Sequence, residues 1–184
     1  MSVVRVGNMY DQQQSYPGDR RDLSRLRRHI EEAFSNLPPV APCNVAPAAY
    51  PGEMESLMQS FGGIEDWHDI PRCTLEYCCG ELPLLSPEAF RFCLPAYLMA
   101  SLDEVDAPGD LTQFLVFKLV PENPNGDQVL RDQRSCFTDR QEAVVAEYLL
   151  RLCQWLKGTP YQMDECCEGI RIWGTNGSGG NVVR

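Results

Sequence analysis

The sequence predicts a mainly α-helical fold in one compact domain. Apolar residues recur at helical spacing in several separate segments. Two of these segments open with helix-capping residues, at Ser86 and at Thr138. A chain of this length can bury roughly 70% of its unfolded surface in one core, so the fold needs no disulfide or metal for stability. We expect the domain to span residues 19–173, between a flexible arm (1–18) and a flexible tail (174–184).

The first predicted helix begins near Leu23 and is basic on one side. Its apolar residues fall at positions 23, 26, 30, 33, 34 and 37, which is a helical period. Arg27 and Arg28 each precede a glutamate by four residues, which predicts ion pairs along the helix. We interpret the basic face as solvated or docked on the protein's own carboxylates, with contact to anionic lipid or nucleic acid as the alternative. The arginines of this face are Arg20, Arg21, Arg25, Arg27 and Arg28.

A proline-rich connector and a short helix follow. Five prolines between residues 38 and 51 fix φ and remove backbone donors, so we expect an extended segment without helix or inner strand. One face of a short helix is then marked by Met54, Leu57, Met58 and Phe61. The pair Gly62-Gly63 ends this helix, because glycine readily adopts the left-handed C-cap conformation.

The clearest predicted helix is central in the chain and runs from Ser86 to Leu102. Ser86 can cap the free amides, Pro87 suits the first helical position, and Glu88 complements the positive end of the helix dipole. The residues that follow are apolar almost all round, which predicts a helix enclosed by other elements. Pro95 removes one backbone hydrogen bond, so we expect a kink or a break into two helices.

Beyond residue 102 the chain is first acidic and then apolar. The apolar run 114–120 suits a buried strand or a buried helical turn, and we favour the helix. Prolines and an Asn-Gly pair predict a loop at 121–126. The last long helix is predicted from Thr138 to Lys157, because Thr138 and Gln141 form a capping-box pair. We expect it to pack against the central helix.

The charge distribution favours a basic protein partner over nucleic acid. The net charge is −10, which repels a phosphate backbone at long range. Residues 1–30 contain six arginines and three aspartates, a balance of +3, so the remainder has −13. No segment approaches the roughly 20 consecutive apolar residues of a membrane span, and no signal-peptide core follows the first arginine. We therefore expect a cytoplasmic protein.

Nine cysteines in a chain without a secretory signal are expected to be reduced thiols. Cys93 and Cys153 fall inside apolar helical patterns, where cysteine behaves as a small hydrophobic residue. The pairs Cys78-Cys79 and Cys166-Cys167 lack the two-residue spacer of zinc or thioredoxin-like motifs. We expect no zinc site and no cofactor.

One polar cluster, at residues 65–69, has the residue types that bind metal ions or act as general acids and bases. Three carboxylates and an imidazole within five positions suit a metal-dependent site, with Tyr97 nearby. The interpretation we favour is that Trp67 anchors a loop to the core while its acidic neighbours stay in water. A cysteine nucleophile would need a base, and either of the two histidines, His29 and His68, could meet Cys78 or Cys79. The residues of the cluster are Glu65, Asp66, His68 and Asp69.

The leading functional hypothesis is a non-catalytic binding protein, immunity-like or adaptor-like, that engages a basic macromolecular partner. Acidic residues beside aromatic ones suit such a partner, because complementary potentials speed encounter and aromatic side chains act as anchors. The competing hypothesis is a metal-dependent enzyme that uses residues 65–69. The predicted binding residues are Trp67, Asp69, Asp103, Glu104, Asp106 and Trp173.

The segment 84–98 resembles an uncharacterised bacterial family, a domain of unknown function with the pattern Leu-Ser/Thr-Pro-Glu-Ala-Phe-Arg-aromatic-x-Leu-Pro-Ala-aromatic. The similarity covers about residues 22–157 and includes Trp67. Cys93 stands where similar proteins often have a second aromatic residue. The resemblance implies a helix-rich bacterial domain and brings no established catalytic residues or cofactor. Small acidic bacterial proteins of this kind are frequently immunity partners of toxins, which is an analogy.

Overall fold

The computed structural model describes residues 20–46, 51–105, 108–120, 128–158 and 166–174. The predicted arm, the 121–126 loop and Asp106 lie outside these ranges, as does the predicted tail beyond residue 174. The described residues form eight α-helices and three short 3₁₀ segments without a strand, which confirms the predicted mainly α class. The helices are α1 (Arg20–Ala33), α2 (Pro51–Phe61), α3 (Arg72–Cys78), α4 (Pro87–Leu102), α5 (Asp110–Leu119), α6 (Gln128–Arg134), α7 (Asp139–Leu156) and α8 (Cys166–Gly174).

Helix α4 lies at the centre of the core, as predicted. Its N-terminus is capped by Ser86, whose Oγ accepts from the Ala89 backbone N–H at 3.1 Å. Helices α1, α3, α5 and α6 all contact α4, and its side chains are buried on nearly every side. The helix continues through Pro95, so the predicted break does not occur. The burial of so many apolar side chains outweighs the one backbone hydrogen bond that Pro95 removes.

Helix α7 has the predicted capping box and packs mainly on α1 and α8. The Thr138 hydroxyl accepts from the Gln141 N–H at 3.3 Å, and the Gln141 side chain accepts from the Thr138 N–H at 3.0 Å. It meets α4 at two buried hydroxyls, those of Ser101 and Tyr148, which lie 2.8 Å apart. Ser101 donates to the Leu98 carbonyl, so Tyr148 is the donor between the two hydroxyls.

The proline-rich segment is more helical than predicted. It contains a 3₁₀ turn at Pro42–Asn44, and its last proline begins α2, so the expectation of no helix between residues 38 and 51 is wrong at these two points. A single 3₁₀ turn needs only hydrogen bonds three residues apart, here from Asn44 to Ala41. Pro51 occupies the first helical position, where the amide has no intrahelical partner. Gly63, with φ of +82°, ends α2 as predicted.

Helices α3, α6 and α8 have no counterpart in the sequence-based prediction. Helices α3 and α6 have seven residues each, which is too short for an apolar period to stand out, so they depend on tertiary packing. Helix α8 lies against α7 where Gly169 permits a close approach. A Cβ atom at this position would come within 2.6 Å of a Val120 methyl and 2.7 Å of a Leu149 methyl.

Candidate functional site

The polar cluster 65–69 forms a turn that Trp67 anchors to the core, as we interpreted it from the sequence. The turn is the 3₁₀ segment Trp67–Asp69, and Asp66 caps it by accepting from the His68 backbone N–H at 3.0 Å. Trp67 is buried, and its indole N–H donates to the Phe34 carbonyl at 3.1 Å. Trp67, a predicted binding residue, therefore places most of its ring inside the protein.

His68 lies between two carboxylates and stacks on Trp67. Its Nδ1 is 2.5 Å from Asp66 Oδ1, and its Nε2 is 2.7 Å from Glu31 Oε2. The ring centroids of His68 and Trp67 are 3.6 Å apart. Because the two carboxylates approach different nitrogens of the ring, they do not converge on one point that a metal ion could occupy.

The other members of the predicted chemical cluster do not join His68. Asp69 and Glu65 are exposed, and Tyr97 is buried in the core with no hydrogen-bond partner for its hydroxyl in the described structure. Within the described ranges, no group of three or more His, Cys, Asp or Glu side chains has an arrangement that could hold a metal ion. The described residues therefore give no support to the metal-dependent alternative.

The geometry of His68 predicts a pH-dependent contribution to stability. Partial burial acts to lower the pKa of His68, but hydrogen bonds and charge from Glu31 and Asp66 together raise it above the usual 6.5. The protonated ring thus stabilises the fold fully below pH 6.5, and this contribution is lost as the pH rises through the raised pKa. The His68 backbone N–H, followed by its side chain, lowers the pKa of Asp66 below 3.8, so the Asp66 contribution is lost only as the pH falls through that lowered value.

Urea unfolding of the wild type and of His68→Asn between pH 5.5 and pH 8.5 measures this contribution. We expect the difference in free energy of unfolding to be largest at the acid end and to shrink as the pH rises. Because the His68 side chain is 47% exposed, solvent screening keeps the difference at or below about 1 kcal/mol. Glu31→Gln should weaken the same pH dependence. A difference that is constant over the range would contradict the role assigned to His68.

A shallow pocket of about 220 Å³ lies beside His68. Small-molecule sites usually have volumes of roughly 300–1,000 Å³, so this pocket is small for a substrate. Two arginines at its rim have partners within the chain. Arg27 contacts Asp103 at 2.5 Å, and Arg72 contacts Glu104 at 2.6 Å. The apolar residues that line the pocket are Trp67, Ile70, Leu75, Ala96, Met99 and Ala100.

The predicted acidic residues after α4 take part in internal contacts. The Glu104 side chain is only 15% exposed, and it accepts from the Thr112 hydroxyl at 2.7 Å and from the Gly109 N–H at 3.2 Å. Together with the Arg72 ion pair, these bonds connect the end of α4 to the start of α5. Asp103 pairs with Arg27, so both acids have their charge compensated within the chain.

The sequence predicts Trp173 as an exposed aromatic anchor beside an acidic surface, but the structure places this side chain in the core. The side chain is 1% exposed, and its indole N–H donates to the Leu119 carbonyl at 2.9 Å. The sequence does not indicate that Trp173 is buried, because the glycines after it predict a flexible tail. Helix α8 instead turns its last aromatic residue into the core.

The exposed aromatic residues lie elsewhere, on α3 and α5. Tyr77 is 74% exposed, Phe117 63% and Phe114 48%. We call these three residues the aromatic face. The two helices contact each other, and Phe114 and Phe117 are three residues apart, on the same side of α5. The helix predicted for 114–120 is confirmed by α5, but the expectation that the run is buried is wrong for both phenylalanines.

The exposed position of the two phenylalanines can be read from a helical wheel of α5. Leu111, Leu115 and Leu119 fall on one arc and are buried, whereas Phe114 and Phe117 fall on the opposite arc. Two exposed acidic residues belong to the same pair of helices. They are Glu76, adjacent to Tyr77, and Asp110, in the first turn of α5.

The structure does not bring a histidine to the buried cysteine pair. Burial raises the pKa of both the Cys78 and the Cys79 thiol, which keeps them protonated and unreactive. His29 contacts Glu147 at 2.7 Å through its Nδ1, and His68 contacts its two carboxylates. The cysteine-nucleophile alternative gains no support from these positions.

The basic face of α1 is only partly docked on the protein's own acids. The predicted pairs within the helix are wrong. Arg27 contacts Asp103, which follows α4, while Glu32 contacts Arg140 of α7 at 2.7 Å. Arg28 remains exposed and, with Arg21 and Arg25, lines a shallow surface depression. Among the described segments, no helix combines the length and apolar character that a bilayer crossing requires.

The described segments thus define an all-α domain that is built around a buried, proline-containing helix and that exposes aromatic residues on two neighbouring helices. The chain belongs to Family of unknown function (DUF6714), whose model matches residues 49–173, about two thirds of the chain. This confirms the predicted membership in an uncharacterised family. The match includes α2 to α7 and all of α8 except its last residue, and it does not include α1. A comparison with curated proteins and with solved structures finds no match.

Proposed function

We propose that the protein is a non-catalytic binding domain that engages a basic protein partner through the aromatic face. The exposure of Tyr77, Phe114 and Phe117 is the observation that supports this proposal. Each is a large aromatic side chain left in water by a domain whose other large apolar residues are mostly buried. A partner that covers these rings gains roughly 25 cal/mol for each Å² of apolar surface removed from water. Aromatic residues are also enriched among the residues that contribute most to interfaces.

Charge favours a basic partner. Asp110 is exposed at the start of α5, and the whole chain has a net charge of −10, whereas Glu76 of α3 is paired with Arg72 at 2.7 Å. A positively charged partner is attracted to such a surface, whereas an acidic one is repelled. We expect the affinity to fall with rising salt, because added ions screen exposed charges.

The internal contacts of the reactive side chains favour binding over catalysis. Both ring nitrogens of His68 interact with carboxylates, and Cys78 and Cys79 are buried. The bacterial origin and cytoplasmic location expected from the sequence are part of this proposal. All nine cysteines lie in the described ranges and none of them forms a disulfide, which suits a reducing compartment.

Selection of peptides from a random display library tests the proposal with defined probes. We expect the selected peptides to be rich in lysine and arginine together with apolar residues. The double variant Phe114→Ser/Phe117→Ser should bind such a peptide at least 30-fold more weakly, as expected when two aromatic anchors are lost. Leu150→Ser is the matched control, since Leu150 is 41% exposed on α7, and its affinity should equal that of the wild type.

Three outcomes would count against this function. Selected peptides could be acidic, or the double variant could bind as tightly as Leu150→Ser. Sedimentation could also reveal a wild-type dimer that Phe117→Ser converts to a monomer, which would make a second copy of the chain the occupant of the aromatic face. Circular dichroism of each variant confirms that the fold is intact before binding is measured.

A further inference from the structure

Two thiols from different helices meet at the surface between α7 and α8. The sulfur atoms of Cys153 and Cys167 are 3.6 Å apart. Cys153 is partly buried and Cys167 is exposed, so small oxidants can reach the pair. A disulfide bond is about 2.05 Å long, so the two sulfurs need to approach each other by about 1.5 Å, a distance within the range of side-chain rotation.

The fold gives the two neighbouring cysteines of α8 different environments. Cys166 is fully buried in the core, whereas Cys167 lies outside and faces Cys153. From the sequence, Cys166-Cys167 is expected to be an adjacent pair without a metal or redox spacer, and Cys153 a small hydrophobic residue. Fourteen positions separate Cys153 from Cys167, so only the packing of α8 on α7 shows that these thiols are partners.

We propose that Cys153 and Cys167 are a reversible disulfide site that a peroxide oxidises, and that the bond fastens α8 to α7. The Cys167 thiolate attacks one oxygen of hydrogen peroxide and becomes a sulfenic acid, and the other oxygen leaves as water after protonation. The Cys153 thiol then attacks the Cys167 sulfur, forms the S–S bond and releases a second water. In total, two thiols and one peroxide give one disulfide and two waters.

The bond joins two helices that pack against each other. Helix α8 has nine residues, too few to be stable alone in water, and it depends on burying residues such as Trp173. The disulfide closes a loop of fifteen residues (153–167), which restricts the unfolded chain and keeps α8 beside α7. Oxidation should therefore stabilise the domain.

Peptide mapping of the full chain after treatment with hydrogen peroxide tests the site. Trypsin releases Cys153 in the peptide 152–157 and Cys167 in the peptide 158–171. We expect these two peptides to be joined, with the loss of two hydrogens, and to separate after dithiothreitol treatment. The melting temperature of the oxidised protein should rise by roughly 6–12 °C, as expected for a loop of this length in a protein of this size.

Single substitutions identify the two cysteines that form the disulfide. Cys167→Ser should abolish both the joined peptides and the rise in melting temperature, whereas Cys73→Ser, at another exposed cysteine, should leave both unchanged. Joined peptides that persist in Cys167→Ser would place the bond on Cys166 and overturn the proposal. So would their absence from a wild-type sample in which Cys73 is oxidised, because that oxidation shows that peroxide reached the thiols. Joined peptides without a rise in melting temperature would refute the claim that the disulfide stabilises the domain by holding α8 against α7.

Discussion

Replacement of Trp173 by alanine is expected to lower the free energy of unfolding by about 3–5 kcal/mol, the range for large aromatic residues removed from a core. The Trp173 ring is enclosed and makes an edge contact with Phe137 at a centroid distance of 5.5 Å. The Arg134 guanidinium lies 5.0 Å from the ring centroid, which adds a cation–π interaction. The indole also donates to the Leu119 carbonyl. Alanine removes all of these contacts and leaves a cavity beneath α8.

Urea unfolding followed by circular dichroism measures this loss. Trp173→Phe is the matched control, because it retains an aromatic ring in the core and removes the N–H donor. We expect that variant to lose about 1–3 kcal/mol, the cost of an unsatisfied buried carbonyl together with a smaller ring. If Trp173→Ala lost less than about 1 kcal/mol, the packing of α8 on the core would be wrong.

Local chemistry explains why α4 and α7 were predictable. A helix start depends on residues within one turn of each other, and Ser86 and Thr138 make in the structure the capping bonds that their neighbours imply. The C-cap at Gly63 is equally local. Short helices such as α3 contain few residues, so no apolar period distinguishes them and only contacts with the rest of the chain stabilise them.

Contacts between distant residues explain why the site was only partly predictable. The sequence offers Arg27 an acidic partner four residues away, yet the folded chain presents Asp103, seventy-six positions along. Exposed ion pairs stabilise a protein by at most about 1 kcal/mol, so spacing and residue type alone do not determine which acidic residue pairs with Arg27. The tertiary fold determines the partner, because it places Asp103 next to Arg27. The Glu104 carboxylate likewise accepts from the Gly109 N–H, so it is not part of the predicted acidic surface.

Composition alone also could not separate buried from exposed aromatic residues. Trp67 and Trp173 stand beside acidic or glycine-rich stretches and are buried, whereas Phe117 lies in an apolar run and is exposed. In each case the direction of the helix or turn determines the environment of the ring. The distinction bears directly on function, since only exposed rings are available to a partner.

Replacement of Trp67 by alanine separates stability from binding. We expect a loss of about 3–5 kcal/mol in the free energy of unfolding, because the ring fills the core and its indole donates to the Phe34 carbonyl. His68→Asn removes the ring stacked outside Trp67 and its exposed contacts with Asp66 and Glu31, and it should lose no more than about 1 kcal/mol. Urea unfolding at pH 6 compares the two variants. Equal losses would show that the turn at residues 67–69, and not the buried indole, supplies the stability.

The same Trp67→Ala variant tests where a partner binds. At a temperature where it remains folded, its affinity for a peptide selected by the wild type should match the wild-type value, since Trp67 is buried and is not part of the aromatic face. Phe117→Ser should show the opposite result, with weakened binding and nearly unchanged stability, because an exposed ring contributes little to the core. If Trp67→Ala also lost affinity while folded, the partner would occupy the pocket beside His68, which Trp67 lines.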